Sequence, residues 1–337
     1  MDGKERIGIV VIGRNEGDRL RQCLVAAGRT GQPLVYVDSR STDGSPGLAR
    51  SLGVTVVEID ATGSLSAARA RNEGFRRLSE LHPDVGLVQF LDGDCELFPG
   101  WMEEAARALG ARQDVVAVCG RILERSPRAN IYHRLCAMEW EKEPGEISAC
   151  GGNLMVRARS FHDVGGFRPE VMAAEDDELC LRLRRSQGKI LHLAADMVLH
   201  DVAMTRFRQW WQRARRAGLA YAQGASLHGD GPERHFVRDC RRIWLWAGAL
   251  PLLALGLAWP TRGWALALLA LYLVQIARIY RWGRRRGWAA GDASLYAAFA
   301  VLSKFPGLAG LVQFHWRRWR GHSPALIEHK EQGGARP

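Results

Sequence analysis

The sequence has no C-x-x-C pair. Its seven cysteines, at 23, 95, 119, 136, 150, 180 and 240, form an odd and scattered set. That spacing argues against a disulfide framework or a four-ligand zinc site and fits a reducing compartment. No G-x-G-x-x-G follows the first apolar run, so the dinucleotide fingerprint is missing, and G-x-x-x-x-G-K-[ST] is missing as well. The N-terminal M-D-G-K-E-R leads directly into an apolar run without the hydrophobic core of a signal peptide, so the first domain is expected to stay in the cytoplasm. The net charge is +11, yet no nucleic-acid-binding motif accompanies it. No nucleic-acid partner is therefore expected.

What is present is an alternation. Residues 7–12 (I-G-I-V-V-I), 34–37, 54–59 and 87–91 read as short buried strands, and helical patterns follow the first three, the third over 67–81. Each strand delivers polar residues at its C-terminal end. That is the signature of a doubly wound, mostly parallel sheet with its ligands in a crevice outside the strand ends. The fourth run ends in Asp92-Gly93-Asp94. Two carboxylates one residue apart, with a glycine to turn the backbone, can approach one hard divalent cation, Mg²⁺ or Mn²⁺, shared with substrate phosphates. The plainer alternative is a polar turn after a strand.

Seven motifs in order resolve that choice: V-V-I-G-R-N-E (10–16), V-D-S-R-S-T-D-G-S (37–45), A-R-N-E-G (70–74), F-L-D-G-D (90–94), G-G-N-L-M-V-R (151–157), G-G-F (165–167) and E-D-D-E-L-C-L-R-L (175–183). Together they resemble the family 2 glycosyltransferases of the GT-A fold, over roughly residues 6–225, and the membrane-anchored bacterial type in particular. The resemblance implies a GT-A Rossmann-like sheet with helices on both faces. It implies that Asp38 recognises the base and ribose of a nucleotide-sugar donor, the alternative being an Asx-turn or helix cap. Arg71 is expected on the donor diphosphate, or else on a helix surface, and Gly152 and Asn153 along the sugar pocket. Asp92 and Asp94 are expected to hold Mn²⁺ or Mg²⁺, with His200 a further metal ligand. Asp176 is the expected general base, which gives inversion in one displacement. Glu175, Trp211 and Arg215 are expected on the acceptor or phosphate side. Arg40 stands where the family commonly has glycine, and Asp43 reads as a cap.

The remaining third changes character. Residues 205–242 hold nine arginines against Asp230, Glu233 and Asp239, a composition suited to anionic headgroups. Residues 243–259 and 264–280 are apolar runs of about 17 residues, at the low end for a bilayer span. Arginines outside both runs predict a hairpin with cytoplasmic ends. A third run, 293–314, is broken by Lys304 and Pro306 and reads as interfacial or re-entrant. The expected organisation is a catalytic domain over 1–225, a basic linker over 226–242, a membrane region over 243–320 and a flexible tail over 321–337. The expected function is sugar transfer at the inner (cytoplasmic) membrane, from a nucleotide-diphosphate sugar to a polyprenyl-linked saccharide or glycolipid, with the lipid bilayer itself a partner. A polyprenyl-phosphate acceptor, or a non-catalytic nucleotide-binding scaffold, are the alternatives.

Overall fold

Nearly continuous apolar, β-branched sequence suits a strand covered on both faces. Residues 7–12 are such a run, and in the computed structural model all six are buried at the centre of β1 (Arg6–Gly13). The structure describes residues 5–60 and 65–321. The other strands are β2 (Leu34–Asp38), β3 (Thr55–Glu58), β4 (Val85–Asp92), β5 (Cys95–Leu97), β6 (Val115–Glu124), β7 (Gly145–Glu146), β8 (Leu154–Arg157) and β9 (Lys189–His200). Between them run α1 (Asp18–Gly28), α2 (Ser45–Ser51), α3 (Ala67–Leu81), α4 (Trp101–Ala111), α5 (Ile131–Trp140), α6 (Ala158–Asp163) and α7 (Glu175–Arg185).

The sheet order is β3-β2-β1-β4-β8-β6-β9-β5, with β7 beside β9. The first four strands are parallel, as expected, whereas β8 runs antiparallel to both β4 and β6. Register puts Asp38 opposite Gly13 and Asp92 opposite Ile12, so both carboxylates leave the same edge of the parallel strands. The last strand, β9, ends at His200 and pairs with β6 through three register shifts.

The chain divides into two compact units. One contains the described residues of 1–125 and 140–202, the other 126–139 and 203–321. The expected catalytic boundary at 225 differs from this division, because α8 (Phe207–His228) belongs to the second unit. Its partner there is α13 (Lys304–Trp319), and small residues let the two helices touch. A Cβ on Gly218 would run into the Gly307 carbonyl, and one on Gly310 into the Arg215 carbonyl.

The rest of the second unit comprises α9 (Val237–Ile243), a π-helical turn (Trp244–Ala249), α10 (Leu250–Gly256), a 3₁₀ stretch (Trp264–Ala270), α11 (Leu271–Arg285) and α12 (Ala290–Leu302). Only 229–236 of the expected linker is non-helical. Two helices are long and apolar enough to cross a membrane, Trp264–Arg285 and Ala290–Trp319. The expected hairpin partner at 243–259 is not one of them, because its helix ends at Gly256. Residues 243–256 span about 21 Å against a hydrocarbon core of about 30 Å. The segment expected to be interfacial is instead part of a 30-residue helical stretch. Pro306 falls in the first turn of α13, a position where proline is tolerated. Leu252, Trp259, Trp264 and Leu273 are 70%, 93%, 82% and 70% exposed, an apolar surface that water does not favour. The tail expected at 321–337 lies outside the described residues after Gly321.

Candidate active site

Two loops clasp each other at the head of the parallel strands. The Asn15 backbone N–H donates to Ser41 Oγ at 2.9 Å, and Asn15 Oδ1 accepts from the Thr42 N–H at 2.7 Å. Asp43 accepts from the Gly17 and Ser45 N–H groups, both at 3.0 Å, and so ties the first loop to the residue that starts α2. Partial burial pushes its carboxyl up, but the Ser45 and Gly17 hydrogen bonds win and hold it below the usual carboxylate range. Arg40 has φ 63°, a left-handed conformation that glycine adopts without strain. Asp38, 1% exposed, accepts from Tyr36 Oη at 2.8 Å and from the Ser41 N–H at 2.7 Å. The Ser41 bond is a local side-chain-to-backbone contact three residues on, of the kind that caps turns and helix starts. Burial and the adjacent Asp38 carboxylate push the Tyr36 phenol up, which keeps it a donor.

The centre of the site is an arginine. Arg71 on α3 is 3% exposed, and its Nη2 donates to Asp92 Oδ1 at 2.7 Å while Nη1 donates to Glu175 Oε1 at 2.6 Å. Its guanidinium also lies 5.3 Å from the Phe167 ring centroid. The expected phosphate-facing arginine is therefore an internal strut, with both terminal nitrogens held by carboxylates. Gly152 makes room for it, since a Cβ there would run into Arg71 Nη2 and approach Asp92 Oδ2 to 3.1 Å. Asn153, expected along the sugar pocket, is buried instead behind Asp92. Its Oδ1 accepts the Asp92 N–H at 2.8 Å. Gly93 follows within 2.8 Å of the Ile12 carbonyl through its own N–H, and a Cβ would sit 3.0 Å from that oxygen.

Beyond the turn, the His200 ring at the end of β9 presents Nε2 to Asp94 Oδ1 at 3.6 Å. That separation is too long for a hydrogen bond and suits two donors to one cation. An edge of Trp140 packs on the imidazole, ring centroids 4.7 Å apart. Asp94 and His200, with Asp92 a third exposed next to them, offer the oxygen and imidazole donors that Mn²⁺ accepts readily and Mg²⁺ in part. The donor set fits a divalent ion.

The four acids at the head of α7 separate in space. Glu175, expected toward the acceptor, is paired with Arg71. Glu178 is buried and accepts from Arg182 Nε and Nη2, at 2.9 and 2.6 Å, with Arg168 Nε 3.3 Å away. Arg182 in turn donates to the carbonyls of Val164 and Gly166, at 2.5 and 2.7 Å. Asp176 faces the glycine pair, its Oδ2 3.9 Å from where a Gly151 Cβ would stand. Burial first, then the Glu175 and Asp177 charges, raise its pKa to about 8 against the opposing pull of Arg71.

The first unit thus brings Arg71, Asp92, Gly152, Asn153, Glu175 and Asp176 into one cluster, with Asp94 and His200 following Asp92. Asp38 stands two strands away in the same sheet. Trp211 and Arg215 lie on α8 in the second unit, where Trp211 packs against Phe207. Sequence reasoning passed over Asn72, whose Nδ2 donates to the Phe167 carbonyl at 2.7 Å while Oδ1 accepts the Phe167 N–H at 2.9 Å. The joint presence of A-R-N-E-G and G-G-F was the available signal. It also passed over Glu124 and Cys95, for which no spacing pattern spoke.

The model of the family described as "Glycosyl transferase family 2" matches residues 8–165. The chain is 28% identical over 180 residues to the pre-mycofactocin glycosyltransferase of Mycobacterium tuberculosis, covering 50% of this chain and 36% of that protein. It is 24% identical over 262 residues to glycosyltransferase AglE of Haloferax volcanii, covering 73% and 81% respectively. The chain therefore spans little more than a third of the mycobacterial relative. Among solved structures, the mannosyltransferase PcManGT of Pyrobaculum calidifontis, in complex with GDP-Man and Mn²⁺, shares the fold with TM-score 0.58 and 19% identity over 94% of this chain and 89% of that one.

Proposed function

Residues 8–165 form a family 2 glycosyltransferase domain, and from that premise we propose a metal-dependent, inverting transfer of a sugar from a nucleotide-diphosphate donor to an acceptor held at a membrane. The observation that carries it is the Arg71 bridge, which locks Asp92, beside the cation donors, to Glu175, the residue before Asp176. Donor activation and acceptor deprotonation then share one rigid frame.

Asp94 and His200 would hold Mn²⁺ or Mg²⁺ with Asp92 alongside, and the bound ion would neutralise charge on the departing nucleotide diphosphate. Arg71 and Asn153 fix Asp92 in position. Asp38 and its loop form the floor for the base and ribose. Asp176 takes the proton of the acceptor hydroxyl as its oxygen bonds to the anomeric carbon and the bond to the diphosphate oxygen breaks. A single displacement of this kind inverts the anomeric centre. The long apolar helices Trp264–Arg285 and Ala290–Trp319 support a membrane-held acceptor, and the arginines around them support a cytoplasmic catalytic unit.

The test is binding and turnover by detergent-solubilised full-length protein with a panel of nucleotide-sugars, in Mn²⁺, Mg²⁺ or EDTA. One donor should bind only with metal, Asp94→Ala should abolish that binding, and Asp176→Asn should bind without turnover. Full turnover by Asp176→Asn would point to an acceptor that is already ionised, such as a polyprenyl phosphate. Failure of every nucleotide-sugar to bind would overturn the proposal.

A further inference from the structure

Cys95 opens β5 and is the direct cross-strand partner of His200 on β9. Its Sγ, a carboxylate oxygen of Asp94 and a ring nitrogen of His200 all lie within 4.8 Å of one another. The sulfur is not idle in this position. It donates to Asp94 Oδ1 at 3.6 Å and accepts from Asn153 Nδ2 at 3.4 Å. On the far side of the imidazole, His200 Nδ1 faces the buried Glu124, 4.0 Å from Oε2. Glu124 Oε2 also takes the Val202 N–H at 3.3 Å. At 4.0 Å this is proximity and not a hydrogen bond; a small shift of the ring toward Glu124 would make it the carboxylate contact that orients metal-binding imidazoles.

Building on the cation site argued above, we propose that Cys95 is a third protein ligand, and that this site takes thiophilic divalent cations, Zn²⁺ and Cd²⁺ by class, in competition with the hard ion. Carboxylate and imidazole alone suit Mn²⁺, which gains little from sulfur. Sulfur, nitrogen and oxygen together are the three-ligand set that zinc takes while keeping a fourth position open. Ligand atoms around a four-coordinate zinc stand roughly 3.5 Å apart, so the trio closes by about 1 Å, within the reach of side-chain torsions. As the metal–sulfur bond forms, the thiol proton leaves to solvent and its hydrogen bond to Asp94 is given up. Asn153 Nδ2 stays on the sulfur and stabilises the charge it acquires. No electron is transferred, and no other reactant is needed.

The experiment uses the full-length protein in detergent, with Co²⁺ as optical probe and Mn²⁺ followed by its paramagnetic resonance signal. Co²⁺ should give a near-ultraviolet sulfur-to-cobalt charge-transfer band that disappears in Cys95→Ser. Zn²⁺ should displace Mn²⁺ from the wild-type protein, and about tenfold or more Zn²⁺ should be needed in Cys95→Ser. Circular dichroism and the thermal midpoint certify the fold of the variant. Cys95→Ala serves as a second variant if the serine hydroxyl itself ligates. Cobalt binding without the charge-transfer band, or equal Zn²⁺ competition with and without Cys95, would overturn the proposal. Loss of the glycosyltransferase reading looks different: Mn²⁺ would fail to bind the wild-type protein, or would bind equally well to Asp94→Ala.

Discussion

Arg71 and Glu175, 104 residues apart in sequence, meet at 2.6 Å inside the first unit. Because the other arm of the same guanidinium holds Asp92, removal of the arginine strands two carboxylates in a partly desolvated cluster. Breaking such a pair from one side costs about 3–5 kcal/mol. Arg71→Ala should therefore lower the unfolding midpoint sharply, whereas Glu175→Gln, which keeps an acceptor oxygen for Nη1, should cost clearly less. Arg71→Lys cannot reproduce the two-armed contact and should fall between them. Denaturant unfolding of the three variants checks the order. A midpoint for Arg71→Ala close to wild type would remove the strut from the account.

Asn72 closes both backbone polar groups of Phe167 with one amide. Phe167 carries the ring beneath Arg71, so the clamp positions the strut indirectly. Asn72→Ala leaves a buried N–H and C=O unpaired, at a cost of about 1–3 kcal/mol. Asn72→Asp keeps only the acceptor half of the clamp and should recover part of that loss. The measurement is the thermal midpoint of each variant together with donor affinity. If Asn72→Ala matches wild type in both, the two motifs are adjacent without being coupled.

Local patterning carried much of this fold, and the reasons are visible at particular residues. The helix expected at 67–81 is α3 itself, because Ser66 Oγ accepts the Arg69 N–H at 3.2 Å and fixes the start. The Asp92-Gly93-Asp94 turn was legible because strand, glycine and carboxylates are contiguous. Roles set by distant partners were not. Glu175, Asp176 and Glu178 look equivalent along the chain, and their partners, Arg71 for Glu175 and Arg168 with Arg182 for Glu178, separate them. Arg71 suits phosphate by its type, and nothing nearby in sequence announces its two carboxylate partners, 21 and 104 residues away. In the second unit, Lys304 and Pro306 disguised a 30-residue helical stretch that continues through Ser303 with helical backbone angles.

That stretch is tied to α8 by backbone-to-backbone proximity at Gly218, Gly307 and Gly310. Larger side chains there cannot be absorbed by a rotamer change, because the obstructing atoms are main chain. Gly310→Val and Gly218→Val should each cost about 1–3 kcal/mol by overpacking. Gly256→Val, where nothing lies within 4 Å of the added carbon, serves as the control. Proteolysis of the detergent-solubilised variants should show earlier cutting within α8 or α13 for the first two and little change for the control. Equal protection of all three would argue that the helices do not cross this closely.

Asp176 offers a test that separates catalysis from structure. Its pKa is raised to about 8, by burial first and then by Glu175 and Asp177. An unperturbed aspartate titrates near 3.9, so the folded protein holds this proton more tightly than the unfolded chain does. The sign follows from linkage: wild-type stability falls as pH rises from about 4 toward 8, and the penalty is complete above that range. Asp176→Asn removes the charge, so its stability relative to wild type should improve across the same window. The gain, discounted for partial exposure, should reach about 1–3 kcal/mol at pH 9 and vanish near pH 4. Turnover should move oppositely. Wild-type kcat/KM should climb with pH and level off above about 8 as the base is freed, while Asp176→Asn should lose about 10²–10⁴-fold at every pH. A variant that is both inactive and more stable at alkaline pH identifies a carboxylate kept for its chemistry. A variant that is inactive and less stable at pH 9 would show that Asp176 is needed to build the site and would leave the base unassigned.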